Sequence, residues 1–290
     1  MAEPLPICYL NGSFLPLRDA RISPLDRGFL YADGAYEVMP VYAGRPFRLG
    51  AHCERLTRSL AELRLPDPLN RTDWREIFAT LIARNGSGDQ YVYWQVTRGA
   101  EYGRNHAPLP EVPRTIFAFC APLPLPGSAT LEQGLSCITA ADTRWARCDV
   151  KSIALLANVL LRQLAVDAAA AETILLRDGD VTEASSSAVH VVIDGELRTP
   201  PHSARVLPGT TRGVIDELAE RIRLPHRSTR ISESELRSAD EIWLSAVTRE
   251  VVPVTQLDGR PVGRGVPGQA WRRMYSEFQR YKQELAGQPW

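Results

Sequence analysis

The segment Ala121-Pro122-Leu123-Pro124-Leu125-Pro126-Gly127 alternates proline with apolar residues and ends in glycine. Each proline fixes φ at about −65° and removes a backbone N–H, so the run admits neither a helix nor a central strand. It predicts an extended, semi-stiff connector, the other reading being a proline-rich surface loop within one domain. On the connector reading, residues 1–120 form a small N-terminal α/β domain, 121–128 the connector, and 129–290 a larger C-terminal domain.

Upstream of the connector, Ile7–Leu10 and Ser13–Leu15 flank Asn11-Gly12, a two-residue hairpin signal. Tyr36–Tyr42 and Pro46–Leu49 flank a second turn. Leu56, Leu60 and Leu63 share one face of a helix from about Ala51 to Arg64, and Thr72 is placed to cap the next, which Asn85-Gly86 ends. Tyr91–Arg98 and Arg114–Cys120 read as buried strands. Downstream, a strand is expected near Leu135–Ala141 and a long helix from Ile153 to about Ala169. Strands follow at Glu172–Arg177, Asp180–Thr182 and Ala188–Ile193, then a helix starting near Thr210 or Thr211. Ser232 and Glu235 make a capping box, strands at Glu241–Ser245 and Val251–Leu257 come next, and a last helix starts near Gly268. Hairpin signals outnumber βαβ repeats, so the sheets should be mixed or antiparallel. The class is α/β or α+β in two domains.

Composition narrows the function. The 290 residues are 44% hydrophobic and 23% charged, enough to bury a real core. Lys+Arg and Asp+Glu are 34 each, so no global charge favours nucleic acid or an anionic membrane. The apolar run Ile153–Leu161 is interrupted by Asn158 and falls short of the roughly 20 residues a bilayer span needs. Met1–Leu10 lacks the basic start and apolar stretch of a signal peptide. Five cysteines without a CxxC give no disulfide framework and no zinc site, and no metal is expected. A soluble cytoplasmic protein is the expectation.

Lysine occurs only at Lys151 and Lys282; arginine supplies the other 32 basic residues. Lys282 lies in a polar C-terminal segment and reads as a helix-face charge. Lys151 sits before the apolar run Ile153-Ala154-Leu155-Leu156-Ala157, where an amine in place of the habitual guanidinium suggests chemistry only a primary amine can do. A coincidental surface lysine fits that single fact equally well. Glu183 leaves a strand into Ala184-Ser185-Ser186-Ser187, either as a solvated turn or as the lysine's distant partner. Leu207-Pro208-Gly209-Thr210-Thr211-Arg212 puts a glycine and two hydroxyls at a helix start, which suits a phosphate or a simple cap. Arg55 is either that phosphate's cation or one more exposed arginine. A reactive lysine, a carboxylate and a phosphate cradle are together the parts needed to hold pyridoxal 5′-phosphate (PLP).

The chain resembles the fold-type IV PLP enzymes, a group that includes D-amino-acid transaminases, branched-chain aminotransferases and aminodeoxychorismate lyases. The matching stretches are Asp26–Glu37, His52-Cys53-Glu54-Arg55-Leu56, Asp149-Val150-Lys151-Ser152, Thr182–Ser187 and Leu207–Arg212, in family order over nearly the whole chain. The resemblance implies two domains with the cofactor at their interface. It implies Lys151 as the Schiff-base lysine and proton shuttle, Glu183 as partner of the pyridine nitrogen, and Arg55 as a phosphate ligand. Further cofactor contacts are implied at Ser185, Ser186, Ser187, Leu207, Gly209, Thr210, Thr211 and Thr248.

Tyr102-Gly103-Arg104-Asn105-His106 carries an Arg-x-His pair that resembles the carboxylate trap of D-amino-acid transaminases. In them it reaches in from the neighbouring subunit and works with a tyrosine matching Tyr36. Arginine grips a carboxylate with two parallel hydrogen bonds, which fixes the face of the Cα–H bond presented to the lysine. The resemblance therefore implies a homodimer that exchanges an amino group between D-amino acids, such as D-alanine, and 2-oxo acids, such as 2-oxoglutarate, by a ping-pong Schiff-base route. A branched-chain L-aminotransferase and an aminodeoxychorismate lyase are the alternatives. Two positions depart from the pattern: Val247 stands where relatives place a phosphate-binding hydroxyl, leaving Ser245 or Thr248 as substitutes, and Ala188 stands where asparagine is common.

Overall fold

A computed structural model describes residues 3–86 and 88–286. The chain forms two compact units, and the division passes between Pro124 and Leu125. Val150–Leu155 belong with the first unit, so the stretch expected as one domain over 129–290 is interrupted there. Backbone pairing is the cause. The Ile153 N–H donates to the Gly34 carbonyl at 3.1 Å, the Tyr36 N–H donates to the Lys151 carbonyl at 3.0 Å, and Ser152 bridges Ala35.

The first unit contains β1 (Ile7–Leu10), β2 (Ser13–Pro16), α1 (Arg27–Tyr31), β3 (Gly34–Tyr42), β4 (Arg45–Pro46), α2 (Leu49–Glu62), α3 (Arg71–Asn85), β5 (Gln90–Thr97) and β6 (Thr115–Pro122). Its sheet runs β2-β1-β6-β5-β3-β4, antiparallel throughout. On α2, Leu49, Cys53, Leu56 and Leu60 recur every three or four residues and are buried. They join Trp74 and Phe78 of α3, and Met39, Val92 and Trp94 of the sheet, in one core. The second strand of the expected Tyr36–Leu49 hairpin is only two residues long. Arg48 turns into the left-handed region at φ 61°, and Leu49 already begins α2. Asn70 caps α3 instead of Thr72: its Oδ1 accepts the Thr72 and Asp73 N–H groups, and Asp73 accepts the Asn70 N–H in return.

The second unit contains α4 (Ser128–Gln133), β7 (Leu135–Ala141), α5 (Leu156–Asp167), β8 (Glu172–Arg177), β9 (Asp180–Ala184), β10 (Ala188–Ile193), β11 (Glu196–Thr199), α6 (Thr210–Arg221), β12 (His226–Ser228), α7 (Glu233–Ser238), β13 (Glu241–Ala246), β14 (Glu250–Leu257), β15 (Arg260–Pro261) and α8 (Gln269–Ala286). Its mixed sheet runs β12-β11-β10-β13-β14-β7-β8-β9, with β15 on β14. Parallel pairs occur at β7/β8, β7/β14 and β11/β12. One core joins Ile174, Val191, Ile242 and Val252 to Leu236 of α7. Trp243, Leu218, Trp271 and Phe278 are also buried. The helix expected from Ile153 begins three residues later, at Leu156, because Lys151–Ile153 pair with β3 and hold the chain extended up to the helix start. Among the described residues, no helix is long and apolar enough to cross a membrane.

Candidate active site

Two groups of residues carry chemistry, one in each unit. In the first, β3 positions Lys151. Besides its carbonyl bond to Tyr36, Lys151 donates its N–H to Ser59 Oγ of α2 at 3.1 Å. Gly34 permits this close approach: a Cβ there would meet the Val96 carbonyl oxygen at 2.6 Å and Ile153 Cδ1 at 3.2 Å. The main chain of Lys151 is thus fixed. Its Nζ lies 4.1 Å from the centre of the Tyr36 ring and makes no hydrogen bond or ion pair among the described residues. The other lysine differs: Lys282 is bonded to Glu250 and to Gln279. Tyr36 is stacked on Tyr93 at 5.5 Å, which sets the plane of the ring facing the amine.

Beside this strand, Glu37 is fully buried and accepts two bonds from Arg55, at 2.6 and 2.8 Å. His52 Nδ1 approaches the same carboxylate at 2.8 Å. Burial would raise the Glu37 pKa, but the Arg55 charge and the bonds from Arg55 and His52 hold it down to about 2. Burial lowers the pKa of His52 below its ordinary value, against the pull of Glu37. Arg55, expected as a phosphate ligand, has two of its three nitrogens on Glu37.

Arg104 and His106 lie on an exposed segment. The Arg104 guanidinium is 5.2 Å from the centre of the Tyr31 ring, and the His106 ring is 5.6 Å from it. The two are brought together on Tyr31; no described contact joins either to Tyr36.

In the second unit, Glu183 is buried on β9 and accepts a short bond from Arg144 Nη1. Arg144 is held in turn by Asp142, through Nε and Nη2 at 2.9 Å each. Thr182 and Arg177 also reach Asp142. Burial pushes the Glu183 carboxyl above its ordinary value, against the pull of Arg144 and of the Leu207 N–H. Leu207 therefore touches the site through its backbone. Sequence reasoning missed Arg144 because nothing along the chain separates it from the other arginines.

The serine run, read as a solvated turn or as cofactor contacts, has all three hydroxyls on Glu172. Ser185 is bonded to Glu172, Ser186 donates to it at 2.5 Å, and Ser187 at 3.2 Å. Three hydroxyls converge on one fully buried carboxylate, which pins the turn that follows Glu183. Of the two substitute hydroxyls, Ser245 is bonded to buried His190 at 2.8 Å. Thr248 sits in the turn between β13 and β14, half-buried.

The phosphate-like loop opens α6. Gly209 is its N-cap and no side chain caps it, so the first N–H groups of Thr210 and Thr211 lack intrahelical acceptors. Arg212, one turn in, is 2% exposed. Its Nη2 donates to Thr199 and Ser228 at 3.0 and 3.1 Å, while Nε, 3.8 Å from the Asp216 carboxylate, and Nη1 find no hydrogen-bond partner among the described residues. Uncapped amides, a helix N-terminus and unsatisfied guanidinium nitrogens together favour an anion. No cluster of His, Cys, Asp or Glu among the described residues suits a metal ion.

Comparison with known proteins matches residues 34–257 to the family described as amino-transferase class IV. The D-alanine aminotransferase of Staphylococcus epidermidis is 38% identical over 276 residues, covering 95% of this chain and 97% of that protein. That of Bacillus licheniformis is 35% identical over 93% of this chain and 94% of its own length. Among solved structures, the branched-chain amino acid aminotransferase of Escherichia coli superposes with a TM-score of 0.89 at 25% identity, covering 94% of this chain and 93% of that one. A second branched-chain amino acid aminotransferase, solved with pyridoxamine 5′-phosphate, gives 0.88 at 27% identity, covering 95% and 93%.

Proposed function

This chain belongs to the class IV aminotransferase family, and from that premise we propose that it is a PLP-dependent transaminase exchanging amino groups between D-amino acids and 2-oxo acids. The observation that carries the D-amino-acid reading is 38% identity to D-alanine aminotransferases over 95% of the chain. The fit of PLP is supported by the residues themselves. Among the described residues, the amine of Lys151 is unengaged by hydrogen bond or ion pair, Glu183 is a buried carboxylate, and the start of α6 offers uncapped amides beside the Arg212 nitrogens that lack a hydrogen-bond partner.

The cofactor, when bound, supplies an aldehyde that accepts the amino group and a ring that draws electrons from the substrate's α-carbon. Lys151 Nζ acts as general base and acid, taking the proton from the α-carbon of the donor and returning one to the product. Glu183 holds a proton on the ring nitrogen, and Arg144, locked by Asp142, keeps that carboxylate in place. The α6 N-terminus, with Gly209, Thr210 and Thr211, binds the phosphate, with Arg55 and Thr248 as further contacts. Leu207 packs on the ring, and Ser185–Ser187 act by fixing the turn after Glu183.

Arg104 and His106 grip the α-carboxylate together with Tyr36, reaching the site of a second copy of the chain. Their exposure supports this, as does an apolar stripe on α5: Leu156, Val159, Leu160 and Leu164 are 73, 60, 60 and 44% exposed. A cytoplasmic location belongs to the same reading, supported by five cysteines that are all unpaired.

Offering D-alanine, L-leucine or aminodeoxychorismate and following oxo-acid formation tests the proposal. Pyruvate from D-alanine that depends on added 2-oxoglutarate is expected. Oxo acid from L-leucine alone would move the chain to the branched-chain reading, which the neighbour at TM-score 0.89 favours. Pyruvate from aminodeoxychorismate without an acceptor would mark a lyase.

A further inference from the structure

The loop bearing Arg104 and His106 has no regular secondary structure, yet its backbone is firmly held. At its base, Gly99 sits at φ +95° with its Cβ direction 1.9 Å from the Pro113 carbonyl oxygen, a closure open only to glycine. Across its waist, Glu101 accepts the Leu109 N–H at 2.9 Å. At its centre lies Arg27, only 4% exposed. Nη1 donates to Glu101 at 2.6 Å and to the Asn105 carbonyl at 2.6 Å, and Nη2 donates to the His106 carbonyl at 3.0 Å. Nε donates to Asp33 at 2.9 Å, and Arg98 grips the same carboxylate at 2.7 and 3.0 Å. The Arg27 guanidinium also lies 4.6 Å from the centre of the Tyr31 ring, on which Arg104 and His106 rest.

We propose that Arg27 is a positioning residue for carboxylate recognition: its buried guanidinium fixes the backbone that presents Arg104 and His106. The inference rests on reading those two residues as the carboxylate grip. Asp33 and Glu101 balance the charges of Arg27 and Arg98, and two of the bonds Arg27 donates go to carbonyls inside the very tripeptide that does the gripping. A flexible loop would lose its bidentate geometry, and displacement by about 1 Å costs up to about 100-fold in an oriented reaction. Arg27 touches no reacting atom, so its removal should alter recognition of the carboxylate more than proton transfer at Lys151.

The test uses cofactor-loaded Arg27→Gln and Arg27→Lys, read by steady-state kinetics on D-alanine and by amide hydrogen exchange. Arg27→Gln should raise KM by about tenfold or more with kcat within about threefold. Exchange should accelerate over 102–109, and Arg27→Lys, a point charge without the fork, should fall between. A KM within about twofold of the parent, or altered kinetics with unchanged loop exchange, overturns the proposal. Should Arg27→Gln not fold, Glu101→Gln decides: it retains an acceptor for Leu109 but weakens the clamp, and an unchanged KM there also overturns it. Arg104→Ala is run alongside. If it leaves KM unchanged, the carboxylate reading fails on its own account, and exchange over 102–109 in the Arg27 variant then judges the clamp.

Discussion

With arginine at 32 of 34 basic positions, an amine at position 151 is chemically set apart, and the structure adds that it has no ion-pair partner among the described residues. Lys151→Arg should lose at least about 100-fold in transaminase turnover while retaining the parent's thermal melt, because a guanidinium stays protonated and cannot shuttle the proton. Parent-like turnover would remove Lys151 from the mechanism. Arg144 is a partner that only three dimensions reveal. Arg144→Met leaves Glu183 buried without its cation and should cost about 3–5 kcal/mol in urea unfolding. Lys151 was legible because its residue type is rare in this chain; Arg144 was not, because its type is the commonest cation here.

Elements were legible where local chemistry decides them. The strands Leu135–Ala141 and Ala188–Ile193 and the Ser232/Glu235 capping box match their expectation. They failed where two candidates competed within a turn, as at α3, where Asn70 and not Thr72 holds the cap. Asn70→Ala should therefore lower stability by about 1 kcal/mol, and Thr72→Ala by less than about 0.5 kcal/mol, in urea melts. The start of α5 failed for another reason. The apolar periodicity from Ile153 onward is sound, but Ile153 itself is bonded to Gly34 of β3, a competitor more than 100 positions away.

At the scale of the molecule, buried titratable groups predict the acid limit. Burial pushes His190 down to about 3, so the unfolded chain takes up its proton first. That contribution to stability is fully present above pH 6.5 and is lost as pH falls from 6.5 toward 3. Glu37, held down to about 2, adds the same sign of loss from 4.5 downward. His190→Gln should flatten the pH dependence of urea unfolding between pH 6.5 and 3; an unchanged slope would mean that His190 is not held neutral. Assembly has its own test. If Arg104 serves the neighbouring copy, mixing Lys151→Ala and Arg104→Ala subunits restores one complete site per hybrid dimer, roughly a quarter of parental activity after random exchange. No restoration would place Arg104 with its own lysine.

The sequence alone determined most of the longer strands and helices, the balanced charge, the isolated lysine and the motif order that marks the family. These depend on residue type and short-range spacing, which a linear chain displays directly. Tertiary structure alone decided which partners the charged groups take. It set Arg144 on Glu183, three serines on Glu172, Arg55 on Glu37, and Arg27 on the carbonyls of the Arg104 loop. These pairings join residues from 13 to 79 positions apart, and they form only where the fold buries them together. Burial is a property of the packed fold and not of the order of residues along the chain.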